Sequence, residues 1–239
     1  MSTSVLVFGV WPYVALTVFV VGHVWRWRRD QTGWTTRTSQ LLEGRLLRVA
    51  SPLFHLGALA VIAGHAGGLL VPAKVTAALG VSEHTYHTMA LVGGLVAGAA
   101  MAAGFVLLVV RRFRSEGRLR LVTKRLDWVV YGLFAVVALL GLWATVGENV
   151  VGGGYDYRET VSVWFRSLFV LSPDVDLLAD VPLVFRLHIA AAFAFVALWP
   201  FTRLVHVWSV PLGYLVRPYV VYRSAGTGTR PAVTRTPWA

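Results

Sequence analysis

The chain has 239 residues, of which 56% are hydrophobic and 14% are charged, and its formal net charge is +11. A soluble domain carries about 25% charged residues, so this composition excludes a water-facing globule and indicates a membrane protein. The basic residues cluster in short segments between apolar runs, which argues against nucleic-acid binding and is typical of loops that face an anionic leaflet.

Five apolar stretches are long enough to cross a bilayer, which takes about 20 residues. They run approximately over Val5 to Trp25, Pro52 to Val71, Met89 to Val110, Trp128 to Val146, and Leu183 to Val210. Pro200 and Arg203 interrupt the fifth. The sequence therefore predicts an all-α integral membrane protein with five transmembrane helices in one domain over residues 1–222, followed by a tail over 223–239.

Lysine and arginine are distributed unequally between the loops. Most of them lie in the first loop, the third loop and the tail. The side of the membrane that holds the second and fourth loops has only Lys74, Arg158, Arg166 and Arg186, together with most of the carboxylates. By the positive-inside rule we expect the N-terminus outside and the C-terminus in the cytoplasm. The N-terminal Met1-Ser-Thr-Ser has no basic residue, so no signal peptide is predicted.

The fourth loop is long, roughly Gly147 to Pro182. Its glycine-rich start, Gly152 to Asp156, predicts a turn. The stretch from Thr160 to Val170 contains several aromatic residues. We expect it to form an amphipathic helix on the outer membrane interface.

Four histidines fall within two of the predicted helices. His55 and His65 lie in helix two, and His188 and His206 lie in helix five. Since these two helices run in opposite directions, His55 can pair with His206 on the inner side and His65 with His188 on the outer side. Two pairs of histidines suffice for two bis-histidine haems. A proton-coupled carrier and structural hydrogen bonds between helices are the alternatives.

The spacing of the histidines permits this pairing without requiring it. Along a straight helix, His55 and His65 are about 15 Å apart, and His188 and His206 about 27 Å apart. A kink at Pro200 could absorb part of the difference.

Other residues favour a haem site between helices two and five. Four glycines of helix two would leave room for a flat macrocycle: Gly57, Gly64, Gly67 and Gly68. Arg203 lies three residues before His206 and shares its face, so it could pair with a haem propionate or extend to the headgroups. Because cysteine is absent, neither an iron–sulfur cluster nor a covalently attached haem is expected in this chain.

Two blocks of sequence resemble a known family. The run Ser51-Pro-Leu-Phe-His55-Leu-Gly57, with Gly64-His65 and Gly68, resembles helix two of the cytochrome b gamma subunit of respiratory nitrate reductase. The block Phe185-Arg-Leu-His188, with Pro200-Phe-Thr-Arg203-Leu-Val-His206-Val-Trp-Ser-Val-Pro211, is similar to that family's fifth helix. Minor matches are Trp11-Pro12-Tyr13 and Thr38-Ser39-Gln40-Leu41, and the resemblance covers nearly the whole chain.

The resemblance implies a cell-membrane subunit with two b-type haems. His55 and His206 would bind the iron of the inner haem, and His65 and His188 that of the outer haem. Quinol (menaquinol or another) would be oxidised beside the outer haem. Its electrons would pass to an iron–sulfur beta subunit and then to a molybdenum-containing alpha subunit that reduces nitrate on the cytoplasmic side. No residue of this chain would act on nitrate.

The quinol pocket departs from the family pattern. The family's outer loop carries a lysine there, and this chain has Thr85 or Tyr86. His84 or His87 could instead hydrogen-bond the quinol oxygen and accept its proton. The predicted quinol site therefore comprises Gly64, His65, His84, Tyr86 and His87.

Two other functions are alternatives to this one. A dihaem quinone-linked subunit of another reductase, of the sulfur or heterodisulfide type, would carry the same haem ligands. A haem-free proton-coupled transporter is disfavoured because the predicted helices contain few carboxylates.

Overall fold

The computed structural model describes residues 2–30, 45–114 and 123–209. These residues form helices and no strand. We number the main helices α1 (Val5–Arg29), α2 (Arg45–Leu70), α3 (Ala73–Ala78), α4 (Glu83–Arg114), α5 (Arg125–Val151), α6 (Val161–Ser167) and α7 (Leu183–Phe201). Among them α1, α2, α4, α5 and α7 are long and apolar enough to cross a membrane, which confirms the five predicted transmembrane helices. The predicted tail, 223–239, lies outside the described residues.

Two of the transmembrane helices change their winding near one end. The first residues of α1, Val5–Val10, and the last of α5, Ala144–Val151, are π-helical. Such segments are rare and frequently mark functional sites. Here both lie on the side of the bundle that holds the second and fourth loops.

Helices α2 and α4 pack closely because glycines remove side chains from the contact between them. A Cβ atom added to Gly57 would lie 2.5 Å from the backbone nitrogen of Met101. A Cβ atom on Gly104 would collide with the backbone of Phe54. Gly57 is therefore needed for helix packing, and the expectation that it makes room for a macrocycle was wrong.

The other three glycines of α2 have different surroundings. A Cβ on Gly68 would lie 2.6 Å from the hydroxyl of Tyr157, so this glycine accommodates the fourth loop. Gly64 and Gly67 face open space, with nothing within 4 Å of an added Cβ. Of the four positions expected to leave room beside α2, only these two do so.

The fifth transmembrane helix is shorter than the predicted stretch to Val210. It ends at Phe201, and Thr202 is extended, with φ −113° and ψ −179°. A separate 3₁₀ segment then runs over Arg203–Ser209, and Val210 lies outside the described residues. Pro200 has no N–H to donate to the preceding turn, which favours the break at this point.

The fourth loop folds back onto the bundle. Gly153 and Gly154 have φ values of 86° and 97°, which confirms the predicted turn. The expected helix is present as α6, but Trp164 is 1% exposed and its indole donates a hydrogen bond to the carbonyl of Phe8. This helix is thus packed into the protein core rather than lying on the outer surface. The core around it contains Phe8, Val161, Trp164, Leu168, Leu178, Val181 and Ile189.

Candidate functional site

The two histidines of α2 face His188 of α7 and His206 of the 3₁₀ segment that follows α7, so that the four rings form two pairs. The ring centroids of His55 and His206 are 6.1 Å apart, with the ring planes at 72°. Those of His65 and His188 are 6.0 Å apart, with the planes at 28°. Along α2 the two pairs are separated by about 15 Å. The structure therefore brings together both pairs that the sequence predicts, each at its own level.

The same hydrogen-bond pattern orients all four rings. Each Nδ1 lies 2.7 to 3.0 Å from a backbone carbonyl oxygen. The accepting carbonyls are those of Ser51, Val61, Val137 and Arg203. A neutral imidazole that donates through Nδ1 keeps its lone pair on Nε2, and this is how metal-binding histidines are commonly held. In this tautomer, Nε2 is the nitrogen of each ring that is suited to binding a metal ion.

The distance within each pair suits one metal ion between the two rings. A metal–nitrogen bond is about 2 Å long, and the ring centroid lies roughly 1 Å beyond the nitrogen, so two axial imidazoles have centroids about 6 Å apart. In the described part of the chain no group of three or more potential ligands converges on one point. Haem needs only two axial ligands from the protein because the porphyrin supplies the others. The residues present fit haem.

The break in α7 explains how His206 reaches His55. On a straight helix, His206 would lie about 27 Å from His188, far beyond the 15 Å that separates the partners on α2. The extended residue Thr202 ends the helix and the chain continues in a 3₁₀ segment. His206 is therefore placed by this segment and not by the helix that carries His188.

Helix α5 supports the outer pair, which the sequence did not reveal. The carbonyl of Val137 accepts the Nδ1 hydrogen of His188 at 3.0 Å. A Cβ on Gly141 would lie 3.0 Å from Cε1 of the same imidazole. A glycine at 141 therefore lets the ring lie directly on α5. Only the small size of Gly141 hinted at this role in the sequence.

Arg203 has an anionic partner within the protein. Its Nε donates to Asp127 Oδ1 at 3.0 Å, and its Nη2 lies 2.9 Å from Oδ2. Asp127 is buried in the first turn of α5. Arg203 therefore does not require a haem propionate as its counter-ion, and cofactor binding by Arg203 stays a prediction. Asp127 was missed because it stands far from Arg203 in the sequence.

The predicted quinol residues are distributed around the start of α4. His87 Nε2 lies 3.4 Å from Asn149 Oδ1 on the π-helical end of α5. The ring of Tyr86 lies under the guanidinium of Arg158, 3.8 Å away. His84 is exposed. The structure thus places Tyr86 and His87 against the fourth loop and the end of α5, and it leaves His84 on the surface.

Two tyrosines connect this cluster to the outer histidine pair. The hydroxyls of Tyr86 and Tyr157 lie 3.5 Å apart. Tyr157 in turn reaches Gly68, which lies one helical turn from His65. Burial and the neighbouring Tyr86 raise the pKa of Tyr157, so its hydroxyl stays protonated. Sequence reasoning missed Tyr157, Arg158 and Asn149, since none of them lies in a recognisable motif.

Arg158 holds the fourth loop to the start of α4. Its side chain is 3% exposed, and Nη1 lies 3.0 Å from both carboxylate oxygens of Glu83. Its Nη2 donates to the hydroxyl of Thr76 at 2.9 Å. A charged group this deeply buried needs such a set of partners. The cluster around the outer pair is therefore built from three separate segments.

Comparison with known proteins identifies the family. The sequence profile of the nitrate reductase gamma subunit matches residues 4–225 of this chain. The chain belongs to the nitrate reductase gamma subunit family. Together with its five apolar helices, this makes it a multi-pass protein of the cytoplasmic membrane. The resemblance seen in the sequence is confirmed.

Individual relatives agree with the family. The nitrate reductase gamma chain of Bacillus subtilis is 46% identical over 223 residues, 93% of this chain and 99% of that protein. The respiratory nitrate reductase 1 gamma chain of Escherichia coli is 32% identical over 218 residues, 91% of this chain and 96% of that protein.

A third relative is a longer protein. The nitrate reductase-like protein NarX of Mycobacterium tuberculosis is 52% identical over 220 residues, which are 92% of this chain. The match spans only 34% of NarX. This chain therefore corresponds to about a third of that relative, and to nearly all of the two gamma chains.

Proposed function

We propose that this chain is the dihaem b-type membrane subunit of a respiratory nitrate reductase, which oxidises quinol and passes the electrons to partner subunits. His55 and His206 hold the inner haem, and His65 and His188 hold the outer one. Haem, when bound, supplies a one-electron carrier at each level. The chain is thus part of an oxidoreductase in which nitrate is reduced elsewhere.

One observation supports this proposal most strongly. Two imidazole pairs with centroids 6.0 and 6.1 Å apart lie at two levels along α2, and every Nδ1 is engaged by a backbone carbonyl. Interhelical hydrogen bonding between histidines would need a ring nitrogen of one to meet a ring nitrogen of the other at about 3 Å. Their common arrangement instead favours ligands that approach one ion from opposite sides.

The outer cluster offers a proton acceptor for the quinol. Asn149 Oδ1 accepts the N–H of Tyr155, and its Nδ2 donates to the carbonyl of Ala144, so the amide orientation is fixed. His87 Nε2 must then donate to Asn149 Oδ1. In the neutral ring Nδ1 is left as an acceptor, and it can take a hydroxyl proton of quinol. Oxidation of one quinol to quinone releases two protons to the outside and two electrons to the chain.

The names of the relatives support a complex with other subunits. Proteins named nitrate reductase gamma chain are subunits of an enzyme whose other subunits must reduce nitrate. This chain has no cysteine for an iron–sulfur cluster. We infer that an iron–sulfur beta subunit and a molybdenum-containing alpha subunit dock on the cytoplasmic side. With the N-terminus outside and the C-terminus inside, the arginine-rich ends of α1 and α4 lie on that side.

Haem quantification on the purified protein tests this proposal. The dithionite-reduced minus oxidised spectrum should show b-type haem, with two non-covalent haems per chain. His65→Ala and His188→Ala should each remove the outer haem, and His55→Ala and His206→Ala the inner one. His84→Ala is the matched control, because His84 is exposed and its loss should leave both haems in place.

The outcomes separate the possible functions. Selective loss of one haem in each pair of variants supports both the ligands and the pairing. A well-folded preparation without haem would contradict the electron-transfer function and leave the proton-coupled transporter as the hypothesis to test.

A further inference from the structure

His206 does not lie on a transmembrane helix in this structure. The break at Thr202 separates it from α7, and it belongs to the 3₁₀ segment Arg203–Ser209. Hydrogen bonds in 3₁₀ helices have poorer geometry than those in α-helices, so such segments are short and need support from neighbours. The other three paired histidines lie on long helices. The position of His206 must therefore depend on side chains that hold its segment.

Helix α1 holds the start of this segment. Arg26 Nη1 donates to the carbonyl oxygens of both Pro200 and Thr202, each at 2.7 Å. Pro200 lies in the last turn of α7, where carbonyls lack partners within the helix, and Thr202 is the extended residue that follows it. The guanidinium of α1 therefore caps the break itself.

Helix α1 also holds the far side of the segment. The indole Nε1 of Trp208 donates to Nε2 of His23 at 3.0 Å. The direction of this bond is certain, because an indole is only a donor, and His23 Nδ1 hydrogen-bonds the carbonyl of Phe19 at 2.7 Å. The His23 and Trp208 rings meet edge to face, with centroids 5.9 Å apart at 88°. Trp208 lies two residues after His206.

Helix α5 supplies an anchor before His206. Asp127 binds the guanidinium of Arg203 through both of its oxygens, at 2.9 and 3.0 Å. The carbonyl of Arg203 accepts the Nδ1 hydrogen of His206 at 2.7 Å. The ion pair thus fixes the residue whose backbone orients the imidazole.

We infer that His23 and Asp127 are positioning residues for His206, acting through Trp208 and Arg203 on the two sides of it. This inference rests on the proposed function, since His206 is there an axial ligand of the inner haem. Neither residue is one of the four paired histidines. They set the position and ring orientation of one ligand, and through it the properties of the inner haem alone.

Single and double substitutions test the α1 anchor. His23→Phe and Trp208→Phe each remove one partner of the hydrogen bond while keeping an aromatic ring. Each should shift the midpoint potential and the low-spin spectrum of the inner haem, or lower its occupancy, with the outer haem unchanged. The double variant should show no larger effect than either single variant, because both remove the same bond. His23→Gln, which can still accept from the indole, should restore most of the original signal.

A control and a second variant keep the test decisive. Trp25→Phe changes an indole that is 55% exposed on the same end of α1, and both haems should be unaffected. Asp127→Asn should shift the inner haem more than the outer one, with Asp127→Glu retaining more of the original potential. These readouts do not depend on turnover.

The result that overturns the inference is clear. His23 does not position His206 if His23→Phe and Trp208→Phe leave the inner haem as unchanged as Trp25→Phe does. The same conclusion follows if they shift the midpoint potentials of both haems equally. If Asp127→Asn shifts the midpoint potentials of the inner and outer haems equally, Asp127 does not position His206. If the unsubstituted protein binds no haem, the proposed function itself is wrong.

Discussion

His87 is the residue on which the proposed quinol chemistry can be tested most directly. Asn149 fixes its tautomer, so that Nδ1 is the free acceptor. Proton transfer to a positioned base typically contributes about 10²- to 10⁴-fold to a rate. We expect His87→Ala to slow quinol oxidation by at least about tenfold, with both haems still bound, as measured by quinol-driven haem reduction. His84→Ala separates the two candidate histidines, because the exposed His84 should leave the rate unchanged when it is removed. An unchanged rate for His87→Ala would reject the acceptor role.

Glu83 provides a stability test of the outer cluster. Arg158 is 3% exposed, whereas the side chain of Glu83 is 57% exposed. Removing the carboxylate leaves a buried guanidinium without its anionic partner, which costs about 1–3 kcal/mol. Glu83→Gln should therefore lower the thermal midpoint of the detergent-solubilised protein. Glu159→Gln, at an exposed carboxylate beside Arg158, should leave it unchanged. Equal midpoints for the two variants would mean that Arg158 does not rely on Glu83.

At the scale of the helices, the α2–α4 contact is set by glycines. Gly104→Ala would place a Cβ against the backbone of Phe54, so the helices would have to separate. Overpacking of this kind costs about 1–3 kcal/mol. Gly93→Ala on the same helix meets nothing within 4 Å, and it should be neutral or slightly stabilising because alanine favours helix. Thermal unfolding of the two variants should differ clearly, and similar values would contradict close packing at Gly104.

The transmembrane helices and the histidine pairs could be predicted from the sequence. The five transmembrane helices follow from the length of apolar runs, which depends only on bilayer thickness. The histidine pairs follow from antiparallel helix direction. The sequence predicted that the fifth helix continues to Val210, whereas α7 ends at Phe201. Pro200 alone does not determine where a helix stops. Two residues of α1 stabilise the break: Arg26 bonds the carbonyl of Pro200, and His23 accepts from Trp208, each more than 170 residues away in sequence.

Contacts between distant segments account for the other differences. Thr160 to Val170 has the composition of a surface helix, but Trp164 is buried because its indole meets the carbonyl of Phe8. Arg203 looked like an unpaired cation because its partner Asp127 stands 76 residues earlier. In both cases a contact with a distant segment determines the environment of the side chain. Single-sequence periodicity carries no information about such partners.

At the scale of the whole molecule, the proposed orientation has an energetic consequence. Quinol oxidised at the outer cluster releases its protons outside, while its electrons cross from the outer to the inner histidine pair. Each elementary charge moved across the full membrane stores about 2.3 kcal/mol per 100 mV of potential. Turnover of the complete complex should therefore generate a membrane potential, positive on the outer side.

Sealed vesicles that contain the complex and a potential-sensitive dye can measure this directly. With quinol and nitrate supplied, the dye should report a potential that an uncoupler collapses while nitrate reduction continues or accelerates. His65→Ala, which lacks the outer haem ligand, should produce neither turnover nor potential. Turnover that produces no potential would place the quinol site on the inner side and contradict the orientation. In the proposed mechanism, charge crosses between the two histidine pairs, so the same experiment tests whether their separation of about 15 Å along α2 lies across the membrane.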